Sequence, residues 1–95
     1  MTKCVVVATF RPKPEHLVET RELFLEVAKE VRLEQGCIYY DLYEDVSGKL
    51  VFIEAWESRQ LWQMHSHAPT VTRILDFIDG KLTEPALIQE MYAAQ

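Results

Sequence analysis

Runs of β-branched and aromatic residues alternate along the chain with stretches in which apolar residues recur at helical spacing. The strand-like runs occupy four segments, residues 3–11, 37–44, 50–56 and 86–92. Residues 45–49, between the second and third runs, contain the Asp, Ser and Gly that are typical of a hairpin turn. The pattern therefore predicts four strands, of which the middle two form a hairpin.

The helical periodicity predicts a long helix over residues 14–35, with Gly36 at the position of a left-handed cap. A second helix is expected after Ser58, whose side chain is a favourable N-cap. Pro69 is expected to break this helix and to start a further helical stretch that ends at Gly80.

The resulting order, β-α-β-β-α-β, is the signature of the ferredoxin-like split fold. This fold belongs to the α+β class and has a four-stranded antiparallel sheet with helices on one face. The 95 residues suffice for one domain and not for two, so we expect a single domain over residues 1–95.

The hairpin register predicts which residues share a face of the sheet. Pairing Glu44 with Leu50 places Leu42 opposite Phe52, Tyr40 opposite Glu54 and Ile38 opposite Trp56, all on one side. The opposite side then carries Tyr39, Asp41, Tyr43, Val51, Ile53 and Ala55. Neither side is polar enough for a solvated face, and a contiguous apolar patch usually marks an interface. We therefore expect a homodimer that packs through Tyr39, Tyr43, Val51 and Ile53.

Composition excludes several classes of function. The formal net charge of −5, without a basic cluster, is unfavourable for binding nucleic acid. No apolar run approaches the roughly 20 residues of a membrane span, and the N-terminus lacks the pattern of a signal peptide. Cys4 and Cys37 are expected to be small buried side chains in a reducing compartment, so a cytoplasmic location is predicted.

One group of polar residues is unusual for a plain core. Tyr40 and Glu54 form a cross-strand pair beneath the helices, Trp56 follows on the same face, and His65 is expected to point inward from the second helix. A buried Glu is costly without a partner. We expect Tyr40 to donate to Glu54, or Arg32 or Arg73 to form a salt bridge with it.

The convergence of these side chains predicts a ligand cavity, in which His65 is the candidate catalytic base. Phe24 and Met64 are further candidate substrate-binding residues, which line the cavity or fill it. A structural role in the core is the alternative interpretation for Trp56 and His65.

The remaining polar residues indicate no metal or cofactor. His16 and His67 are expected to face solvent, and the three histidines lack the spacing of metal ligands. With only three glycines, the chain has no glycine-rich phosphate loop.

Several of these segments carry a family resemblance. Residues 36–45 (GCIYYDLYED), residues 54–58 (EAWES), His65 and residues 68–71 (APTV) resemble the antibiotic biosynthesis monooxygenase family. The resemblance extends over essentially the whole chain, and the Glu-x-Trp pair followed by His65 is its most specific part. It implies a dimeric α+β barrel with a pocket in each subunit between sheet and helices.

The resemblance also implies an activity. Family members include enzymes that oxidise polycyclic phenols or quinols with O₂ and without flavin, haem or metal. The substrate is deprotonated, and its anion then reduces O₂ directly. Transferred to this chain, His65 would be the base or the partner of the anion, Trp56 a pocket wall and N–H donor, and Tyr40 and Glu54 polar orienting groups.

Two departures from the family pattern bear on this interpretation. Thr70 stands where many members have a second histidine, which argues against a role that needs two imidazoles. The first strand lacks the asparagine of haem-degrading relatives, so haem oxygenation is not expected. The alternatives are a non-redox isomerase of a small phosphorylated or hydroxylated ketone, which would use His65 for proton transfer, and a non-catalytic ligand-binding or stress-response protein.

Overall fold

A computed structural model describes residues 2–95 of the chain. Four strands form one antiparallel sheet: β1 (Cys4–Phe10), β2 (Cys37–Glu44), β3 (Leu50–Trp56) and β4 (Leu87–Met91). Their order across the sheet is β2-β3-β1-β4, so β2 and β4 are the edges. The ferredoxin-like α+β fold predicted from the order of the elements is confirmed.

Three α-helices pack on one side of the sheet: α1 (Leu17–Val31), α2 (Arg59–Ser66) and α3 (Pro69–Ile78). The first is shorter than the predicted 14–35. At its N-terminal end, Pro14–His16 form a 3₁₀ turn instead. At its C-terminal end, the amides of Leu33 and Glu34 donate to carbonyls three residues back, so the chain there is a tighter turn and not an α-helix. Helix α2 begins as predicted, because the Ser58 side chain accepts a hydrogen bond from the Leu61 amide at 3.2 Å.

Gly36 closes the turn between α1 and β2 and contacts α2. Its φ of +84° favours glycine, and the Leu61 side chain occupies the space that a β-carbon would need. Its carbonyl accepts a hydrogen bond from the Glu57 amide at 2.9 Å. The turn after α1 and the start of α2 are therefore packed closely against each other.

The hairpin register agrees with the prediction over most of its length. Glu44 pairs with Leu50, Leu42 with Phe52 and Tyr40 with Glu54. The predicted pairing of Ile38 with Trp56 is wrong. An irregularity between Cys37 and Tyr39 places Cys37 opposite Trp56, and Ile38 is 48% exposed. A bulge shifts the alternation by one residue, which a strictly alternating pattern does not anticipate.

We call the side of the sheet that faces the helices the inner face. Its buried residues include Val6, Ala8, Phe10, Tyr40, Phe52 and Glu54. Phe24 of α1 packs on this face, with its ring centroid 5.0 Å from those of Phe10 and of Phe52. The aromatic contacts fix how α1 covers the centre of the sheet.

The opposite side, which we call the outer face, is not covered by any helix of residues 2–95. It carries apolar and aromatic side chains that are half-buried or exposed: Val5, Val7, Tyr39, Tyr43, Val51, Ile53, Leu87 and Met91. Tyr43 and Leu87 are each 56% exposed. None of the helices within residues 2–95 has the length and apolar character needed to span a membrane.

Candidate functional site

A cavity of about 210 Å³ lies between the inner face and helices α2 and α3. Its wall is mostly aliphatic and aromatic, with a few polar side chains. The lining residues are Val6, Ala8, Phe10, Tyr40, Phe52, Glu54, Trp62, His65, Ser66, Val71, Ile74, Leu75, Ala86 and Ile88. Apolar walls with a few convergent polar groups are typical of small-molecule sites.

The side chain of His65 is fixed by three contacts. Its ring stacks on Trp56, with the centroids 4.6 Å apart and the planes at 26°, and it meets Tyr40 edge-on at 5.5 Å. Its Nδ1 lies 2.8 Å from Oε1 of Glu34. Because a carboxylate only accepts hydrogen bonds, Nδ1 carries the ring proton when Glu34 is ionised, and Nε2 is then the unprotonated nitrogen of the neutral ring.

Glu34 is itself held by Thr70, whose Oγ1 donates to Oε2 of Glu34 at 2.6 Å. Thr70 is therefore the third member of a Thr70–Glu34–His65 network. On its far side this network borders a second cleft, open to the surface, which is also lined by Leu61 and Met64. His65 thus forms part of the wall between the cavity and this outer cleft.

Glu54 presents a buried carboxyl to the cavity and is only 3% exposed. The indole Nε1–H of Trp56 donates to its Oε1 at 2.8 Å. Within residues 2–95 no hydrogen bond reaches its second oxygen, Oε2. One carboxyl oxygen of Glu54 therefore remains available to a ligand.

The partners predicted for Glu54 are different in the structure. Arg32 forms an ion pair with Asp41 at 3.5 Å, and Arg73 bonds to Glu26 and Glu30 on α1. Neither arginine neutralises Glu54, because both lie on exposed surface where other carboxylates reach them. The hydrogen-bond donor to Glu54 is also Trp56 and not Tyr40.

Burial shifts the acid–base properties of the two polar groups in opposite directions. The pKa of Glu54 is raised to about 7, because burial disfavours its charge and Glu34 adds repulsion, while the Trp56 hydrogen bond offsets part of this. The pKa of His65 is lowered, because burial outweighs the stabilising contact with Glu34. Burial also raises the pKa of the Tyr40 hydroxyl, which stays protonated at neutral pH.

Three of the predicted substrate-binding residues, Phe24, Met64 and Trp56, do not line the cavity. Phe24 is fully buried in the core between α1 and the sheet. Met64 lies on the outward side of α2, is 57% exposed and borders the outer cleft. His65, Glu54 and Tyr40 do line the cavity. Trp56 lies directly behind Glu54, to which it donates a hydrogen bond, and behind His65, on which it stacks.

The sequence interpretation missed Glu34 and the part of the wall formed by α3 and β4. Glu34 lies in the turn before Gly36, and nothing in the local pattern indicates that it reaches α2. Within residues 2–95 no group of three or more His, Cys, Asp or Glu side chains is placed to hold a metal ion. Burial and nearby acidic groups raise the pKa of the Cys37 thiol to about 11, which keeps it protonated.

Comparison with known proteins identifies the family. The model of the antibiotic biosynthesis monooxygenase family matches residues 4–76, which is well over half of the chain. The chain belongs to the antibiotic biosynthesis monooxygenase family. One relative, "putative monooxygenase Rv0793" of Mycobacterium tuberculosis, is 32% identical over 84 residues, which cover 87% of this chain and 83% of that protein. The family resemblance predicted from residues 36–71 is confirmed.

Solved structures of similar proteins have the same fold. The structure of Rv0793 from Mycobacterium tuberculosis superposes with a TM-score of 0.91 at 29% identity, over 98% of this chain and 96% of that one. A crystal structure described as an antibiotic biosynthesis monooxygenase gives a TM-score of 0.89 at 29% identity, over 97% of this chain and 99% of that one. A further relative, "uncharacterized protein sll1783" of Synechocystis, is 29% identical over 90% of this chain, and the match spans 59% of its length.

Proposed function

We propose that this member of the antibiotic biosynthesis monooxygenase family oxidises a small aromatic phenol or hydroquinone with O₂ and without a bound cofactor. In the proposed reaction one oxygen atom of O₂ becomes a quinone carbonyl of the product. The other oxygen leaves as water, together with two hydrogens from the substrate. The substrate supplies all four electrons, so no external reductant enters the balance.

The observation that carries this proposal is the cavity itself, an apolar chamber with acid–base groups in its wall. Deprotonation makes a phenol electron-rich enough to give an electron to O₂, and a dry chamber protects the intermediates that follow. His65, with Nδ1 held by Glu34, supplies one such group, as base through Nε2 of the neutral ring or as partner of the anion in its protonated form. Trp56 and Tyr40 fix its ring from two sides.

The charge of the cavity wall supports a neutral aromatic substrate over a phosphorylated ketone. None of the residues that line it is Lys or Arg, whereas a phosphate group would require cationic or multiple N–H donors. Its volume of about 210 Å³ is below the range of roughly 300–1,000 Å³ common for drug-sized ligands, which suits a small ring system.

Oxygen uptake with a panel of dihydroxynaphthalenes and anthrone-like phenols tests the proposal. We expect uptake that survives chelation and removal of flavin, with one ¹⁸O atom from labelled O₂ in the quinone product. In His65→Ala we expect the rate to fall by about 10²-fold or more, the lower end of the contribution of a general base or of an anion-stabilising group.

His67→Ala is the matched control, because His67 is exposed two residues further along the chain and does not line the cavity. Rearrangement of a substrate without loss of O₂ would favour the isomerase instead. Saturable protection against heat without any turnover would favour a ligand-binding protein.

We also propose that two copies of the chain pack through their outer faces. Tyr39, Tyr43, Val51 and Ile53 would lie in the contact, as the sequence pattern predicts. The support is the continuous apolar surface that the helices of the described part of the chain leave uncovered, since leaving such residues in water forgoes about 1.5–3 kcal/mol for each large side chain.

A further inference from the structure

Among the residues that line the cavity, Glu54 supplies the carboxyl group. It comes from the middle of β3, between Val6 on one neighbouring strand and Tyr40 on the other, so the backbone fixes its position. Its Oε1 accepts the hydrogen bond of the Trp56 indole, and within residues 2–95 no hydrogen bond reaches its Oε2. Within residues 2–95 the one buried side-chain atom without a hydrogen-bond partner is Nε of Arg11. Oε2 of Glu54 is therefore not sealed in the core but is accessible from the apolar chamber, where the hydroxyl of a ligand can donate to it.

We propose that Oε2 of Glu54 accepts the hydroxyl proton of the substrate, so that Glu54, and not His65, is the general base of the reaction proposed above. This inference rests on the proposed function, and it assigns the first step of that reaction, the deprotonation of the substrate, to Glu54. In the step, the O–H bond of the substrate breaks and an O–H bond to Oε2 forms. The negative charge moves from the carboxylate to the substrate oxygen.

Charge conservation inside the cavity favours Glu54 over His65. Transfer to the Glu54 carboxylate leaves one negative charge in the chamber before and after the step. Transfer to the neutral His65 ring would create two new charges, an imidazolium and a phenolate, of which Glu34 offsets only the first. Separating charge in a poorly solvated chamber is costly, so the carboxylate is the better acceptor.

The neighbours of Glu54 strengthen its basicity. The titratable groups around it are Tyr40 and Cys37 on β2, His65 on α2 and Glu34 after α1. None of them is a permanent cation, and α3 contributes only apolar side chains to the cavity wall. The raised pKa of Glu54 and the lowered pKa of His65 agree with this order of basicity.

A pair of ligands tests the contact without requiring turnover. 1-Naphthol offers a hydroxyl donor, whereas 1-methoxynaphthalene does not. We expect the wild-type protein at pH 8 to prefer 1-naphthol by about tenfold or more, as for a hydrogen bond to a charged group. The preference should fall as the pH is lowered through the titration of Glu54, a result that needs no variant.

Glu54→Gln should remove or reverse this preference. The amide oxygen would accept the Trp56 N–H, so the amide NH₂ would face the cavity and offer a donor where the wild type offers an acceptor. Glu44→Gln is the control, because Glu44 is exposed on β2 and pairs with Arg21 outside the cavity. An unchanged preference in Glu54→Gln would overturn the proposal.

Kinetics on an accepted quinol provide the second readout. In Glu54→Gln we expect kcat to fall by about 10²–10⁴-fold and the acidic limb of the pH–rate profile to disappear. In His65→Asn the acidic limb should persist. Loss of the limb in His65→Asn, or turnover in Glu54→Gln within tenfold of the wild type, would assign the base to His65 instead. If no quinol is oxidised, the proposed function fails, while the ligand pair still decides whether Oε2 accepts a hydroxyl.

Discussion

The two faces of the sheet are built from the same kinds of residues but have different surroundings. Phe52 and Ile53 are neighbours on β3, yet Phe52 is fully buried beneath the helices and Ile53 is half-buried on the outer face. The carboxylates differ in the same way. Asp41, on the outer face, is about half exposed and pairs with Arg32, whereas Glu54 is buried and forms no ion pair with any of residues 2–95. Apolar patterning alone therefore does not reveal which face holds chemistry, but the solvation of its polar groups does.

The largest expected difference between the faces is in packing energy. Phe52→Ala should lower the free energy of unfolding by about 3–5 kcal/mol, because the ring packs between Phe24 and Tyr40 at centroid distances of 5.0 and 4.5 Å. Ile53→Ala should lower it by about 1 kcal/mol in the monomer, since part of its surface already contacts water. Denaturant titration at low protein concentration measures both, and equal losses would contradict the contrast between the faces.

The next effect is the pH dependence of stability that the buried carboxyl produces. Because the folded pKa of Glu54 is raised to about 7, the folded state holds a proton that the unfolded state loses near pH 4.5. Stability should therefore fall between about pH 4.5 and pH 7, by roughly 3 kcal/mol from this group alone. Unfolding titrations at pH 5 and pH 8 measure the change.

His65 acts in the opposite sense, because its pKa is lowered and stability is gained as the pH rises towards 6.5. Glu54→Gln separates the two contributions. It removes the fall in stability that Glu54 causes as the pH rises, and it leaves the increase in stability that His65 causes. A carboxylate on the exposed surface, as in Glu44→Gln, should leave the slope between pH 5 and pH 7 nearly unchanged. An identical slope in wild type and Glu54→Gln would show that Glu54 is not buried as described.

The smallest effect on the folded monomer is expected at the outer face. Ile53→Lys should change its stability by less than about 1 kcal/mol, but should weaken self-association by tenfold or more, because two like charges would meet across a two-fold contact. Sedimentation equilibrium measures the association. Val46→Lys, at the fully exposed hairpin turn, is the control. A wild-type protein that stays at 11.1 kDa at micromolar concentration would contradict the dimer.

The sequence predicted the fold because its determinants are local. Strand alternation, the turn at residues 45–49 and the Ser58 cap each act over a few residues, and together they leave little choice of topology. The strand pattern also predicted that Tyr40, Glu54, Trp56 and His65 lie close together, since three of them share one face of a hairpin.

The parts that the sequence did not predict depend on contacts distant along the chain. Glu34 reaches His65 across 31 residues, and Thr70 reaches Glu34 across 36, so no periodic pattern records either contact. The bulge before Tyr39 and the ion pair of Arg32 with Asp41 likewise follow from how the elements pack. Sequence periodicity assigns a residue to a face, but it does not choose its partner.

The close contact between Gly36 and Leu61 means that a substitution at position 36 would also alter the candidate site. Leu61 lies one helical turn before His65 on α2, and the turn that ends at Gly36 also supplies Glu34. Any side chain at position 36 would push the helix away from that turn and stretch the Glu34–His65 hydrogen bond. A replacement of Gly36 would thus impair the candidate site, although residue 36 does not line the cavity.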